Sequence, residues 1–481
     1  MKRRARTPGP PKLAGTRVAV VGAGRSGLSL TRFLLSRGAS VHLTDIRSAA
    51  DLAPEVSELG RRGVDLRLGG HDVDRLVEAD LVAVSPGVPL ASPPLKEARQ
   101  RGARLLAEVE IAARYLHGTL VGITGSNGKS TTTALTAHIL AHAGLPATAC
   151  GNLGTPLSDL IENDTAGHYY IVELSSFQLE GIETLRPKIG ALLNLSPDHL
   201  DRYPDRRAYY RAKARLFMNQ SGSDHAVLNR DDREVWKLSR SIRARIHPFS
   251  RAVKPRRGAA LEGTRIVLRP DRSGLRSVPV DALPLFGPHN IENAMAALLI
   301  ADLCGVPPER ATGGLSTFRG LPHRLEKVAR IDGIAYYNDS KATNVAATAR
   351  SLESFPRDVV LILGGRDKGG AFADLRSLIR KRVTHLVLMG EARESIASQV
   401  GAAVPTTSAG SMDEAVRVAR GAATQGGVVL LAPGCASFDQ YSSFEERGED
   451  FRRRVLQHAG GGARGAGRDP LTRKRPPAPA A

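Results

Sequence analysis

Residues 122–131 read Gly-Ile-Thr-Gly-Ser-Asn-Gly-Lys-Ser-Thr, and no other stretch restricts the fold as strongly. A short apolar run precedes them and a helical pattern over 132–143 follows, so the glycines stand where a strand gives way to a helix. Glycine density there lets backbone N–H groups turn toward an anion, beside the positive end of a helix dipole. Gly125, Ser126, Asn127, Gly128 and Thr131 are the loop positions expected around the phosphates of ATP. Lys129 is placed to reach the terminal phosphates, and the Ser130 hydroxyl suits the accompanying Mg²⁺. Ile123 occupies the position where G-x-x-x-x-G-K-[ST] has its first glycine, which leaves an ordinary glycine-rich turn as the plain alternative.

A chain of 481 residues is too long for one core and implies several domains. No apolar run approaches the ~20 residues of a membrane span. Residues 1–15 are basic but lack the apolar segment of a secretory signal. Cys150, Cys304 and Cys435 are too widely spaced for a metal knuckle and too few for a disulfide framework. A cytoplasmic protein with no stable membrane insertion is expected. The net charge of +20 invites a nucleic-acid partner, but residues 1–15, 459–481 and 234–277 carry +5, +4 and +9 of it. The remainder is nearly balanced and has no aromatic interleaving of the kind that stacks bases. An arginine-rich surface with no nucleic-acid partner is the expectation.

Four kinds of segment can be separated. Residues 1–15 and 459–481 are rich in Pro, Gly, Arg and Ala and are expected to be disordered. Residues 16–107 alternate apolar strands at 17–21, 41–44 and 81–85 with a helix at 28–37, the pattern of a parallel sheet with crossover helices. Residues 108–320 repeat that alternation around the phosphate loop, interrupted by a basic segment, 234–285, expected to be irregular or antiparallel. Residues 321–458 form another α/β unit with strands at 359–363, 385–389 and 428–431.

In open α/β sheets, ligands collect at the carboxyl ends of strands. At the first such edge, Gly22, Gly24 and Gly27 match G-x-G-x-x-G, Asp45 ends the next strand, and Gly87 lies in a Ser-Pro-Gly turn after another. These residues fit a nicotinamide dinucleotide or any other nucleotide diphosphate; a second nucleotide loop downstream makes a UDP-linked substrate plausible. In the central segment Asn152, Glu173 and His199 follow strands. Glu173 suits Mg²⁺, His199 a metal or phosphate, or else the cap of the next helix, and Asn152 an amide hydrogen bond. Lys213, on a helix at 205–217, reads by itself as a solvated lysine. Further on, Asn290 and Asn293 share a helix face, while polar loops at 337–344, 364–369 and 433–440 each follow a strand and suggest a pocket.

Residues 124–131, 173–180 (ELSSFQLE), 194–203 (NLSPDHLDRY) and 210–213 stand in the order used by the Mur ligase family of ATP-dependent peptide synthases. The resemblance covers about residues 16–458. NDSKATN (338–344), SSFQLE (175–180) and CASFDQ (435–440) resemble its glutamate-adding branch rather than those adding alanine, a diamino acid or a dipeptide. It implies an α/β chain of three domains: a Rossmann-like UDP-binding domain (16–107), a central P-loop ATPase-like domain (108–320) and a C-terminal Rossmann-like amino-acid-binding domain (321–458). It also implies an ATP-dependent ligase that joins D-glutamate to UDP-N-acetylmuramoyl-L-alanine through an acyl phosphate, a monomer acting on small-molecule substrates.

Carried over residue by residue, the resemblance assigns Arg25, Ser26, Asp45, Gly87 and Asn152 to the UDP substrate. Asn290, Asn293, Arg324 and Asp339 join the phosphate loop around ATP, and Thr343, Lys368, Ser437, Phe438 and Phe444 hold the amino acid. Lys129, His199 and Lys213 are the implied catalytic residues. Ser130 and Glu173 are expected at one Mg²⁺, and His199 with a carbamylated Lys213 at a second. Ile46 departs from the hydroxyl expected near the uracil. A sibling ligase adding another amino acid, L-glutamate included, remains the nearest alternative. An NAD-dependent dehydrogenase leaves Lys129, Glu173 and Lys213 idle, and a nucleic-acid-dependent ATPase lacks a coherent basic face.

Overall fold

The computed structural model describes residues 12–199, 202–269, 276–285 and 287–460. The expected disordered segments at 1–11 and 461–481, and Leu200 and Asp201 of the NLSPDHLDRY motif, lie outside the described residues. Within the segment 1–15 expected to be disordered, Leu13 is buried in the first core.

Alternating apolar segments build three sheets. The first contains β1 (Arg17–Val21), β2 (Ser40–Asp45), β3 (Asp65–Leu68), β4 (Leu81–Val84) and β5 (Leu105–Ala107), ordered β3-β2-β1-β4-β5 and parallel throughout. Val18 to Val21 are all buried, as expected of a central strand covered on both faces. The strand order reverses at β1, which leaves a ligand crevice at its carboxyl end.

The second sheet comprises β6 (Thr119–Thr124), β7 (Ala147–Gly151), β8 (Tyr169–Glu173), β9 (Ile189–Leu192), β10 (His225–Asn229), β11 (Arg245–Ser250), β12 (Gly258–Glu262), β13 (Arg265–Arg269) and β14 (Arg276–Pro279). Their order is β14-β13-β12-β11-β10-β9-β6-β8-β7. Because β6 to β9 are parallel, the phosphate loop, Gly151, Glu173 and Leu192 all end at one edge. The antiparallel pairing expected for 234–285 is found between β12 and β13 and between β13 and β14. β11 and β12 extend the sheet in parallel, and antiparallel pairing begins at β13. Flanking arginines hide short apolar strands whose Phe249 and Ala259 share a core with Met295 and Leu298.

One continuous core joins the first sheet to a face of the second, running from Val18 and Leu30 to Leu174 and Leu179. The two sheets accordingly form one compact unit, which ends at Leu321; a second begins at Pro322. In it β15 (Glu326–Ile331), β16 (Ile334–Asn338), β17 (Val359–Gly364), β18 (Val383–Met389), β19 (Thr406–Ser408) and β20 (Val428–Leu431) are ordered β15-β16-β20-β17-β18-β19. Only the β15 edge is antiparallel. The loops after β16, β20 and β17 therefore leave the same edge side by side. Among the described residues no helix is long and apolar enough to cross a membrane.

Candidate active site

The helix after the phosphate loop runs Lys129–His142, three residues earlier than its pattern predicts, with Gly128 as N-cap at φ +83°. A side chain on Gly128 would put its Cβ 2.3 Å from Asn293 Oδ1, so glycine is required both by backbone and by space. Asn293 accepts from the Thr132 hydroxyl at 3.2 Å and donates to Asn290 Oδ1 at 3.1 Å, which brings both asparagines to the loop. Ile123, in place of the first glycine, is fully buried. The loop is pinned to the chain leaving β9: Asn127 N–H donates to Asn194 Oδ1 at 2.8 Å, and Asn194 Nδ2 returns a bond to Asn127 O at 3.0 Å. The Ser126 hydroxyl donates to Ser196 O at 2.9 Å and accepts from Ser196 N–H at 3.0 Å. Lys129 Nζ lies over its own loop, donating to the carbonyls of Gly125 and Ser126 at 2.8 and 2.9 Å.

Glu173 closes β8 with its side chain buried. Asn152, just past β7, donates from Nδ2 to Glu173 Oε1 at 2.7 Å and from its backbone to Glu173 O at 2.9 Å. Lys213 lies on the helix Arg206–Ala214 and is only 1 % exposed, contrary to the solvated lysine its own neighbourhood predicts. Arg206, Arg207 and Arg211 take the outer face while Lys213 and Tyr209 point inward, the Lys213 Nζ 4.7 Å from the Tyr209 ring centroid. Burial first, and the Lys129 ammonium second, hold the Lys213 amine well below the usual lysine range, against the pull of Asp198 and Glu173.

His199 adopts φ +55°, and its ring meets the Phe177 ring edge-on at 4.9 Å between centroids. Its Nε2 is 3.8 Å from Asp198 Oδ2. It does not cap the next helix; Asp205 does, accepting from Ala208 N–H at 2.7 Å.

At the edge of the first sheet a cavity of about 660 Å³ is lined by Arg25, Ser26, Asp45, Gly87 and Asn152, with Ile46 and Gln178 beside them. All five residues proposed for the UDP substrate thus face one space. Gly27 lets the helix Arg25–Ser36 approach β1, since a Cβ there would meet Gly22 O at 1.9 Å. Asp45 has a structural task as well: its carboxylate accepts the Ala23 N–H at 2.8 Å and the Arg47 fork at 3.0 and 2.9 Å. Burial alone would raise its pKa, but those bonds bring it down to about 2. Its oxygens already accept these bonds, so Asp45 anchors the turn as well as lining the cavity.

In the second unit Asp339 is half-buried just past the end of β16. Burial raises its pKa, while the Ser351 hydroxyl and the nearby Arg324 guanidinium oppose that rise. Lys341 Nζ lies 3.6 Å from the Phe444 ring centroid. Ser437 is buried, Thr343, Lys368 and Phe444 are half-buried, and Phe438 is 61 % exposed. A bridge between Arg366 and Ala436 and a bond from Gly434 N–H to Ala342 O at 2.8 Å tie the three loops together. Sequence reasoning missed Ser196, Tyr209, Ser340 and Arg447, which buttress these loops; the first three lay in or beside a recognised motif and Arg447 in none.

The buried Glu173 and Lys213, with the half-buried Lys129, make a mixed-charge cluster at the start of the helix Lys129–His142, an arrangement suited to charge stabilisation in phosphoryl transfer. Among the described residues, no three His, Cys, Asp or Glu side chains converge as a ready-made metal site.

Comparison with known proteins agrees with this geometry. Residues 16–107 match the family model described as "Mur ligase MurD-like, N-terminal domain", 123–301 the "Mur ligase middle domain", and 323–435 the "Mur ligase, glutamate ligase domain". A Geotalea daltonii protein named UDP-N-acetylmuramoylalanine--D-glutamate ligase is 42% identical over 94% of this chain and 100% of its own. An Anaeromyxobacter dehalogenans protein of the same name is 46% identical over 93% of this chain and 99% of its own. The solved structure of a pseudomurein peptide ligase type C from Methanothermus fervidus shares the fold at TM-score 0.60 and 19% identity, covering 92% of this chain and 100% of that one. With all three α/β domains matched and near full-length relatives this similar, the chain belongs to the Mur ligase family.

Proposed function

We propose that this protein is an ATP-dependent ligase that adds D-glutamate to UDP-N-acetylmuramoyl-L-alanine in peptidoglycan precursor synthesis, acting as a cytoplasmic monomer. The observation that carries this reading is Asn152, which lines the 660 Å³ cavity and also donates to Glu173 at 2.7 Å. It connects the space for a uridine substrate to the buried carboxylate beside the phosphate loop. The names of the near full-length relatives supply the substrates.

A carboxylate is a poor electrophile because oxide would have to leave. Transfer of the terminal phosphoryl group of ATP to the alanyl carboxylate gives an acyl phosphate and ADP. The glutamate amine then attacks the acyl carbon, and phosphate leaves from the tetrahedral intermediate. Lys129 and the loop N–H groups offset repulsion between the triphosphate and the carboxylate and stabilise charge on the transferring group. Asn290 and Asn293 contribute to the ATP site from beside the loop, and the family resemblance assigns Arg324 and Asp339 to ATP as well. Thr343, Lys368, Ser437, Phe438 and Phe444 receive glutamate, Lys368 meeting a carboxylate.

The donor set suits Mg²⁺, a hard cation: the buried Glu173 carboxylate and the Ser130 hydroxyl for one ion, His199 and a carbamylated Lys213 for another. Bound there, Mg²⁺ neutralises phosphate charge. Carbamylation requires a neutral amine, and burial of Lys213 beside Lys129 favours that form. Phosphate release measured with ATP, UDP-N-acetylmuramoyl-L-alanine and individual amino acids tests the reading. Release that depends on D-glutamate is expected; dependence on L-glutamate or another amino acid would move the chain to a sibling activity.

A further inference from the structure

Arg447 lies between Glu446 and Gly448 in the first turn of the helix Phe444–Gly460, where its charged neighbours suggest a solvated face. Instead it is among the largest fully enclosed side chains of the protein. Its guanidinium donates from Nε to Ser340 Oγ at 3.0 Å, from Nη2 to Ser340 O at 2.8 Å and Cys435 O at 3.1 Å, and from Nη1 to Ala436 O at 3.2 Å. Ser340 Oγ passes the connection on, donating to Phe444 O at 2.8 Å. One side chain thus ties the loop after β16, the loop after β20 and the start of the last helix.

Those three segments carry Thr343, Ser437 and Phe444. Among the described residues no carboxylate lies within ion-pair distance of Arg447; its partners are carbonyls and a hydroxyl. Burial brings its pKa down to about 10, against the pull of Cys435 and Asp439.

We propose that Arg447 is a positioning residue of the amino-acid site, which holds Thr343, Ser437 and Phe444 in register. The inference rests on the glutamate-ligase reading above. Its test compares steady-state kinetics of the wild-type protein with Arg447→Met, Arg447→Lys and Ser340→Ala, each accompanied by a melting curve. In Arg447→Met, KM for D-glutamate should rise about tenfold or more while KM for ATP and for the uridine substrate stays within about twofold. Arg447→Lys, which keeps the charge, should recover part of that loss, and Ser340→Ala should show a smaller rise of the same kind. If Arg447→Met does not fold, Ser340→Ala and Arg447→Lys decide. An unchanged KM for D-glutamate in the folded variants, or equal rises for all three substrates, would overturn the proposal. Absence of D-glutamate-dependent phosphate release in the wild-type protein would instead overturn the functional reading beneath it.

Discussion

The Lys129 ammonium acts on the buried Lys213 amine, adding to desolvation in favouring its neutral form. In the proposed mechanism two lysines serve opposite ends: one stays cationic beside phosphates, and the other loses its proton to react with CO₂. Lys213→Ala should reduce kcat roughly 10²–10³-fold. A short carboxylic acid such as formate should restore part of it by occupying the vacated space with an oxyanion. Full activity without additive, measured as phosphate release, would remove Lys213 from the mechanism.

Gly128→Ala tests the loop. The substitution places a Cβ 2.3 Å from Asn293 Oδ1 and forces alanine to φ +83°, a conformation costing about 1–2 kcal/mol before any clash. Either the helix start or Asn293 must shift. KM for ATP should rise about tenfold or more, with far-ultraviolet circular dichroism unchanged. An unaltered KM would mean that this loop does not bind ATP.

What the sequence made legible, and what it did not, follows from where each residue's chemistry resides. Glycines and polar residues at strand ends are local signals, so Gly128, Asn152 and Glu173 could be read from their order, and the three α/β domains followed from alternation. Lys213 and Arg447 are different. Each stands among arginines or glutamates on a helix, and only packing against another element reveals which face is buried. β11 and β12 were obscured for the same reason, short apolar segments set in a basic stretch. Asp45 was legible as a pocket residue but not as the anchor of Arg47 and the Ala23 N–H, since that bond crosses between strands.

Asp45→Asn should therefore affect both binding and stability. The lowered pKa of Asp45 means that its carboxylate stabilises the folded state fully above the unfolded value near 4, and that this contribution fades as pH falls toward about 2. At pH 7 the variant should melt lower than the wild type, and the gap should narrow below pH 4. KM for the uridine substrate should rise several-fold while KM for D-glutamate is unaffected. A constant gap across that acid range would show that the ionised carboxylate is not what stabilises the glycine turn.

Glu108 carries the opposite sign. It opens the short helix Glu108–Ala113 leading out of the first sheet, is 2 % exposed, and accepts the Ser158 N–H at 2.7 Å on Oε1, while Oε2 has no hydrogen-bond partner among the described residues. Burial, only partly opposed by the Ser158 bonds, raises its pKa to about 7. Below about 4.5 the carboxyl is protonated in both folded and unfolded chains, so its site costs nothing in charge. Between about 4.5 and 7 the unfolded chain releases the proton and the folded one retains it, so stability falls as pH rises; above 7 the loss is constant. Glu108→Gln keeps the acceptor for Ser158 and removes the titration. The variant should gain on the wild type from pH 5 to pH 8, by about 3 kcal/mol at most, in chemical unfolding monitored at both pH values. Equal stability differences at pH 5 and pH 8 would show that Glu108 is not protonated in the folded protein at pH 5.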